Sequence, residues 1–212
     1  MLKKHGLIIG LISMMLALTS CQLATVRSLS DDGDAKAGFN APNYVDSIWE
    51  TQFIPAFLEN AVEINELLAA IDADRDAAIA SYGNRNGTGG FSFMTYGESR
   101  VLDVDLESRI GLMSIDLEPY DGQPDANIAV GPVIRRRNNA AIDAVGFIRF
   151  NDFVNQTEFA SVSDAIKERI LTEILQPLEL QSLENQTIAF HGAFTLDDTG
   201  TLEIVPVRIE VR

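Results

Sequence analysis

LDVDLESRIGLMSIDL, residues 102 to 117, reads as two β-strands folded back on each other. Leu102, Val104 and Leu106 alternate with Asp103, Asp105 and Glu107, and Met113, Ile115 and Leu117 alternate with Ser114 and Asp116. Successive side chains of a strand point to opposite faces, so a period of two gives each strand one apolar face and one wet face. The segment around Glu107 to Gly111 then closes an antiparallel hairpin. Carboxylates in rows have the chemistry for acid–base work or for a metal. Alternating acids are nevertheless the ordinary solvent face of a strand, and that is how they are read here.

Downstream, the polar connection EPYDGQPD leads to a third strand over Asn127 to Val133. The chain then enters its densest stretch, GPVIRRRNNAAIDAVGFIRFNDFVNQTEFA at 131 to 160. Arg135, Arg136 and Arg137 form a basic cluster in an acidic chain. Two roles fit them: a clamp for an anionic group, since guanidinium forks match carboxylate and phosphate, or neutralisation of the neighbouring carboxylate-rich hairpin. Phe147, Ile148, Phe150 and Phe153 are read mainly as core. Ser161 to Asp164 resembles a capping box opening a helix with apolar positions Val162, Ala165, Ile166, Ile170, Ile174 and Leu175, closed by Pro177. Two further strands, Thr187 to Thr195 and Leu202 to Val211, flank the turn Asp197 to Gly200. Val205, Val207, Ile209 and Val211 face one way in the last strand. Pro206 cannot donate a ladder hydrogen bond, which places that strand at an edge or gives it a bulge.

Upstream, Ile48, Ile54, Phe57, Leu58, Ala61, Ile64, Leu68 and Ile71 recur at helical steps that Pro55 interrupts, so a short helix precedes the proline and a long one starts near it, with Gly83 as its stop. Asp72, Asp74 and Asp76 fail as a calcium loop, because the sixth and twelfth positions hold Ala77 and Gly83 rather than Gly and Glu. NRNGTGG at 84 to 90 is a loop. The order helix, three strands, interrupted segment with a helix, two strands predicts a mainly β, α+β domain at 44–212. It consists of an OB-like five-stranded barrel at 91–212 preceded by a long N-terminal helix at 44–83. A two-layer α+β fold with the helix across an open sheet is the alternative.

The first twenty residues stand outside that domain. Lys3, Lys4 and His5 precede an apolar run from Leu7 to Leu18, and Leu18-Thr19-Ser20-Cys21 resembles the lipobox of bacterial lipoproteins. The expectation is a signal peptide at 1–20, a lipidated Cys21 as membrane anchor, and a flexible tether through residue 43. Cys21 is the only cysteine, so no disulfide is available. Gln22, in place of the aspartate that retains lipoproteins at the inner membrane in enteric bacteria, favours the outer membrane.

Formal net charge is -15, from 16 basic and 31 acidic residues. Cleavage after Ser20 removes two lysines and no acid, so the mature chain is more acidic still. Such a surface repels polyanions and disfavours nucleic acid as a partner. With His191 the sole histidine after cleavage, no Gly-x-Ser-x-Gly elbow and no phosphate-binding glycine loop, the residues point away from an enzyme, a metal or a cofactor. A carboxylate-dependent hydrolase is the remaining catalytic alternative, and a protein-interaction scaffold the remaining non-catalytic one.

GPVIR at 131–135, DAVGFIRFNDFVNQTEFASVSDAI at 143–166, VDSIWETQFIPAF at 45–57, and AFHGAF with IVPVRIEV near the end resemble the domain-of-unknown-function 2291 family of predicted periplasmic lipoproteins. The chain departs from the family's Gly-Thr-Ala-Leu-Arg-Asp segment, carrying Arg136 through Ile142 before Asp143. The resemblance implies an envelope accessory or solute-handling role, with sugar ABC-transporter components as partners. Arg135, Asn155 and Gln156 are the candidate surface for a small polar solute or a partner protein, because they combine the donors and acceptors that hydroxyl-rich ligands require.

Overall fold

A computed structural model describes residues 38–135, 138–196 and 202–212. The signal, Cys21, Arg136, Arg137 and the Asp197–Gly200 turn lie outside the described residues. Five strands close into a ring. They are β2 (Ser92–Asp105), β3 (Leu112–Leu117), β4 (Ala126–Ala129), β5 (Thr187–Thr195) and β6 (Leu202–Val211). β2 pairs antiparallel with β3, β3 with β4, and β5 with both β6 and β2, while β4 and β6 run parallel. This is the strand order of the OB fold. A short β1 (Val62–Glu63) adds in parallel to β2.

The expected hairpin is present, with Val104 opposite Met113 and Asp103 opposite Ser114. Its phase differs from the expectation. Phe93, Thr95, Gly97, Ser99 and Val101 face inward along β2; a bulge between Val101 and Asp103 then inserts one residue, and Val104 resumes the inward face. An extra residue in one strand flips the face of all that follow. Leu102 is therefore only half-buried, and Leu106 is exposed because β2 ends at Asp105, whereas Met113, Ile115 and Leu117 are buried as expected. Asp116, read as wet, is fully buried: its carboxylate accepts the Gly122 N–H at 2.9 Å and organises the loop that follows. In β6 a bulge beside Pro206 shifts the register against His191 and Gly192, so the strand runs between two neighbours and Val211 ends exposed. The third strand stops at Ala129 because the chain turns there. Val130 and Gly131 both donate to the Gly111 carbonyl, and a side chain on Gly131 would sit 2.0 Å from the Gly111 nitrogen.

The N-terminal helical region is not one helix. α1 (Ala41–Ile48) starts three residues earlier than expected and continues through a wide π turn, Trp49–Phe53, into α2 (Ile54–Asn60). Pro55 has no N–H to donate, and the turn before it widens so that the Ile54 N–H reaches the Trp49 carbonyl. At Ala61 the backbone becomes extended, which ends α2 and makes β1. The Glu63 carboxylate then caps α3 (Ile64–Ala73), and Asp74 caps α4 (Arg75–Tyr82) by accepting the Ala77 N–H. Asp74 is thus a helix stop and start. Trp49 and Phe53 stack at 5.0 Å, Phe53 meets Phe57 at 5.4 Å, and all three are buried in the same core as Phe93, Phe190 and Phe194 of the ring. A short helix, α5 (Ala140–Val145), and a longer one, α6 (Gln156–Arg169), lie between β4 and β5, and α6 runs on as a π segment to Leu175. Val162, Ile166, Ile170 and Leu175 are buried as the periodicity predicts. The helix begins earlier than the Ser161 box: Asn155 is its cap, accepting the Glu158 N–H at 3.0 Å, while the Glu158 carboxylate accepts the Val154 N–H.

Candidate functional site

Of the three residues expected to form one ligand surface, Arg135 stands apart from the adjacent pair Asn155 and Gln156, and Arg135 and Asn155 make local structural contacts. Arg135 pairs with Glu203 of β6 at 3.2 Å, not with the β2–β3 carboxylates, and Asn138 donates to the same carboxylate at 2.8 Å. Asn155 caps α6, and Gln156 is the first residue of that helix and exposed. Lys167, whose Nζ reaches the Arg135 carbonyl at 3.3 Å, lies twelve positions along α6 from Asn155. At the rise of a helix that separates the two ends by about 18 Å.

The stretch from Gly131 to Phe153 is held by polar side chains from elsewhere in the chain. The Asn84 amide donates to the Ala144 carbonyl at 2.9 Å, and the Asn86 amide donates to the Asp143 carboxylate at 2.9 Å and the Ile148 carbonyl at 3.0 Å. Gly146 turns the chain there with φ +71°, a conformation a side chain resists, and its own side would meet the Asn84 oxygen at 2.8 Å. Burial pushes the Asp143 carboxyl above its ordinary value, opposed by the Asn86 hydrogen bond and by Lys167. Lys167 itself is buried, and its amine and the Ser163 hydroxyl both donate to the Asn139 oxygen at 2.8 Å. Lys167 could have been found in the sequence, since it sits one position past Ile166 and four past Ser163 on the buried side of α6.

A different set of residues forms a cleft of about 490 Å³ on the outer face of the ring. Glu63 of β1 is the register partner of Tyr96 on β2, and Tyr96 is the register partner of His191 on β5. Side chains at paired positions share a face, so these three stand in a row across three strands. Tyr96 stacks on His191 with ring centroids 5.5 Å apart and stays 42% exposed. Asn65, Glu98, Glu118, Tyr120 and Arg212 also line the cleft, over a floor that includes Gly97, Ala189 and Phe190. Arg212 pairs with Glu98 at 3.1 Å and lies near Glu210, and Arg100 sits over the Tyr120 ring at 5.0 Å. Burial, followed by the nearby Arg208, holds the His191 imidazole below its ordinary value, against the pull of Glu210. The neutral ring is therefore favoured, able to donate from one nitrogen and accept at the other. No signal in the linear sequence joins Glu63, Tyr96 and His191. They meet only through the pairing of β2 with both neighbours.

Among the described residues no group of three or more His, Cys, Asp or Glu is placed to hold a metal ion, and no helix is long and apolar enough to cross a membrane.

Ring closure, the parallel β4–β6 pair and the helix between the third and fourth ring strands define an OB-fold protein. An OB-fold protein of Thermotoga maritima, known from a crystal structure at 1.90 Å, superposes with a TM-score of 0.67 at 16% identity, over 82% of this chain and 99% of that one. The chain belongs to the family described as predicted periplasmic lipoprotein (DUF2291), whose pattern matches residues 11–210. Comparison with curated proteins returned no match.

Proposed function

We propose that this chain is a non-catalytic, lipid-anchored envelope protein that holds a small, neutral, hydroxyl-rich solute in the Tyr96–His191 cleft and assists its uptake alongside sugar ABC-transporter components. The observation that carries the reading is the composition of the cleft. Aromatic faces beside carboxylates and an amide suit the apolar C–H faces and the hydroxyls of a sugar. Three carboxylates, Glu63, Glu98 and Glu118, stand against one guanidinium that is already paired, which disfavours an anionic solute. His191 is not joined to a nucleophile, so a binding role asks less of these residues than catalysis does. Cys21 anchors the chain by its lipid, and Gln22 directs it to the outer membrane with the domain facing the periplasm.

Calorimetric titration of the full chain in detergent against a panel of neutral sugars tests the binding reading. A saturable signal that Tyr96→Ala weakens by about tenfold or more, the value of roughly one lost aromatic contact with its desolvated partner, is expected. A panel that gives no saturable binding in the millimolar range rejects it. Fatty-acid labelling of cells making the wild type or Cys21→Ala tests the anchor, and an unlabelled, freely soluble wild type rejects that part.

A further inference from the structure

We propose that a second cleft, between the 84–87 loop and the turn at 146–151, binds a small anion through a carboxylate or phosphate group, with the guanidiniums of Arg85 and Arg149 as its recognition groups. The cleft measures about 410 Å³ and is lined by both arginines together with Asn86, Phe150 and Asn151. Its charge is the reverse of the chain's. In a protein with 31 acidic and 16 basic residues an arginine readily meets a carboxylate, as Arg135, Arg169, Arg208 and Arg212 do. Arg85 and Arg149, like Arg100 and Arg109, form no ion pair among the described residues, and of these four only Arg85 and Arg149 line this cleft. Arg85 lies over the Phe91 ring at 4.3 Å, and Arg149 donates from its Nε to the Gly146 carbonyl at 3.2 Å, a bond that does not use its terminal nitrogens.

Two carboxylates of the same segment accept from groups other than these guanidiniums. Asp143 accepts from the Asn86 amide, and Asp152 accepts the Arg149 backbone N–H at 3.0 Å. The rims are also fixed relative to each other, since Asn86 donates to the Asp143 carboxylate and the Ile148 carbonyl and accepts the Phe150 N–H at 3.3 Å. Two guanidinium-bearing residues lining one cleft suit the two or three oxygens of a carboxylate or phosphate. One exposed guanidinium alone binds weakly and is screened by salt; two facing one ligand, with the loops already in place, lose less entropy on binding. The anion has two sources, a free acidic solute or the headgroup of an anionic phospholipid in the membrane to which the chain is anchored. This inference stands apart from the Tyr96–His191 reading, whose cleft shares no residue with it.

The test is calorimetric titration of the full chain, in zwitterionic detergent at low ionic strength, with inorganic phosphate, citrate and soluble dibutyryl phosphatidylglycerol. Saturable binding of at least one is expected, weakened by about tenfold or more in Arg85→Gln and in Arg149→Gln and partly retained in Arg85→Lys and Arg149→Lys, since each fork supplies a charge-assisted hydrogen bond. Thermal unfolding of the variants at the wild-type temperature establishes that the fold is kept. Binding of phosphate or citrate alone identifies a free solute, and binding of the phospholipid alone identifies a headgroup site. No saturable binding of any of the three, or binding unchanged in the double glutamine variant, overturns the proposal.

Discussion

The ring of strands and the segment from Gly131 to Phe153 share one apolar core but differ in how their backbones are held. In the ring, backbone ladders and inward apolar side chains repeat along every strand, so the loss of one contact leaves many like it. In the segment, α5 is only six residues long and the chain around it is irregular. There Ile134, Ala140, Ala141, Ile142, Ala144 and Ile148 enter the same apolar core, and the polar contacts added to them are individual: Asn84, Asn86, Asn139, Lys167 and Glu203, each bonded to a group far away in sequence. The difference shows how one domain can carry both a rigid frame and loops that set a cleft. Burial of apolar area is cumulative and tolerant, whereas a buried polar group left without its partner is costly by itself.

That contrast can be broken most severely from the apolar core that the ring shares with the N-terminal helical region. Phe53 is fully buried between Trp49 and Phe57, and Phe53→Ala should lower stability by about 3–5 kcal/mol through lost burial and the cavity left behind. Denaturant unfolding measures it, and a loss below about 1 kcal/mol would mean that the aromatic row is not part of the core. A smaller and more local effect is expected from the segment. Asn86→Ala removes two donations and one acceptance and should cost about 1–3 kcal/mol. Hydrogen exchange should locate it, with amides around 144–150 losing protection while those paired between β2 and β5 keep theirs. Equal loss in both places would mean that the segment and the ring open as one unit.

The mildest test uses pH. The folded-state value of Asp143 is raised, so between its unfolded value and that raised value the folded protein holds more protons than the unfolded one. Stability contributed through this group is accordingly greatest at low pH and declines as pH rises through the window. Asp143→Asn keeps an oxygen for Asn86 and carries no titration. It should flatten this component of the stability–pH curve above the ordinary aspartate range, and a curve identical to wild type would remove Asp143 from the account.

Much of the frame was legible because it rests on repetition. Met113, Ile115 and Leu117 gave a strand, Val162 to Leu175 gave a helix, and their order along the chain pointed to the OB arrangement. Legibility failed wherever one residue changed the rule. The β2 bulge put Val101 on the apolar face in place of Leu102, the strand ended before Leu106, and the extended backbone at Ala61 divided the pattern expected to form the long helix. Asn155 and Arg135 were noticed for their chemistry, yet that chemistry is engaged locally, in a helix cap and an ion pair. A side chain's type states what it can bond to, and only its neighbours decide what it does bond to.

By itself, then, the sequence determined the family, the strand and helix order, the apolar core and the acidic character of the surface, because each is carried by composition or by local period. The tertiary structure alone decided that Glu63, Tyr96 and His191 share one row, that Lys167 is buried against Asn139, and that Arg85 and Arg149 face a common cleft. These groups lie tens of residues apart. Their meeting follows from strand register and loop closure, which depend on all the contacts of the fold at once and leave no mark at any single position in the chain.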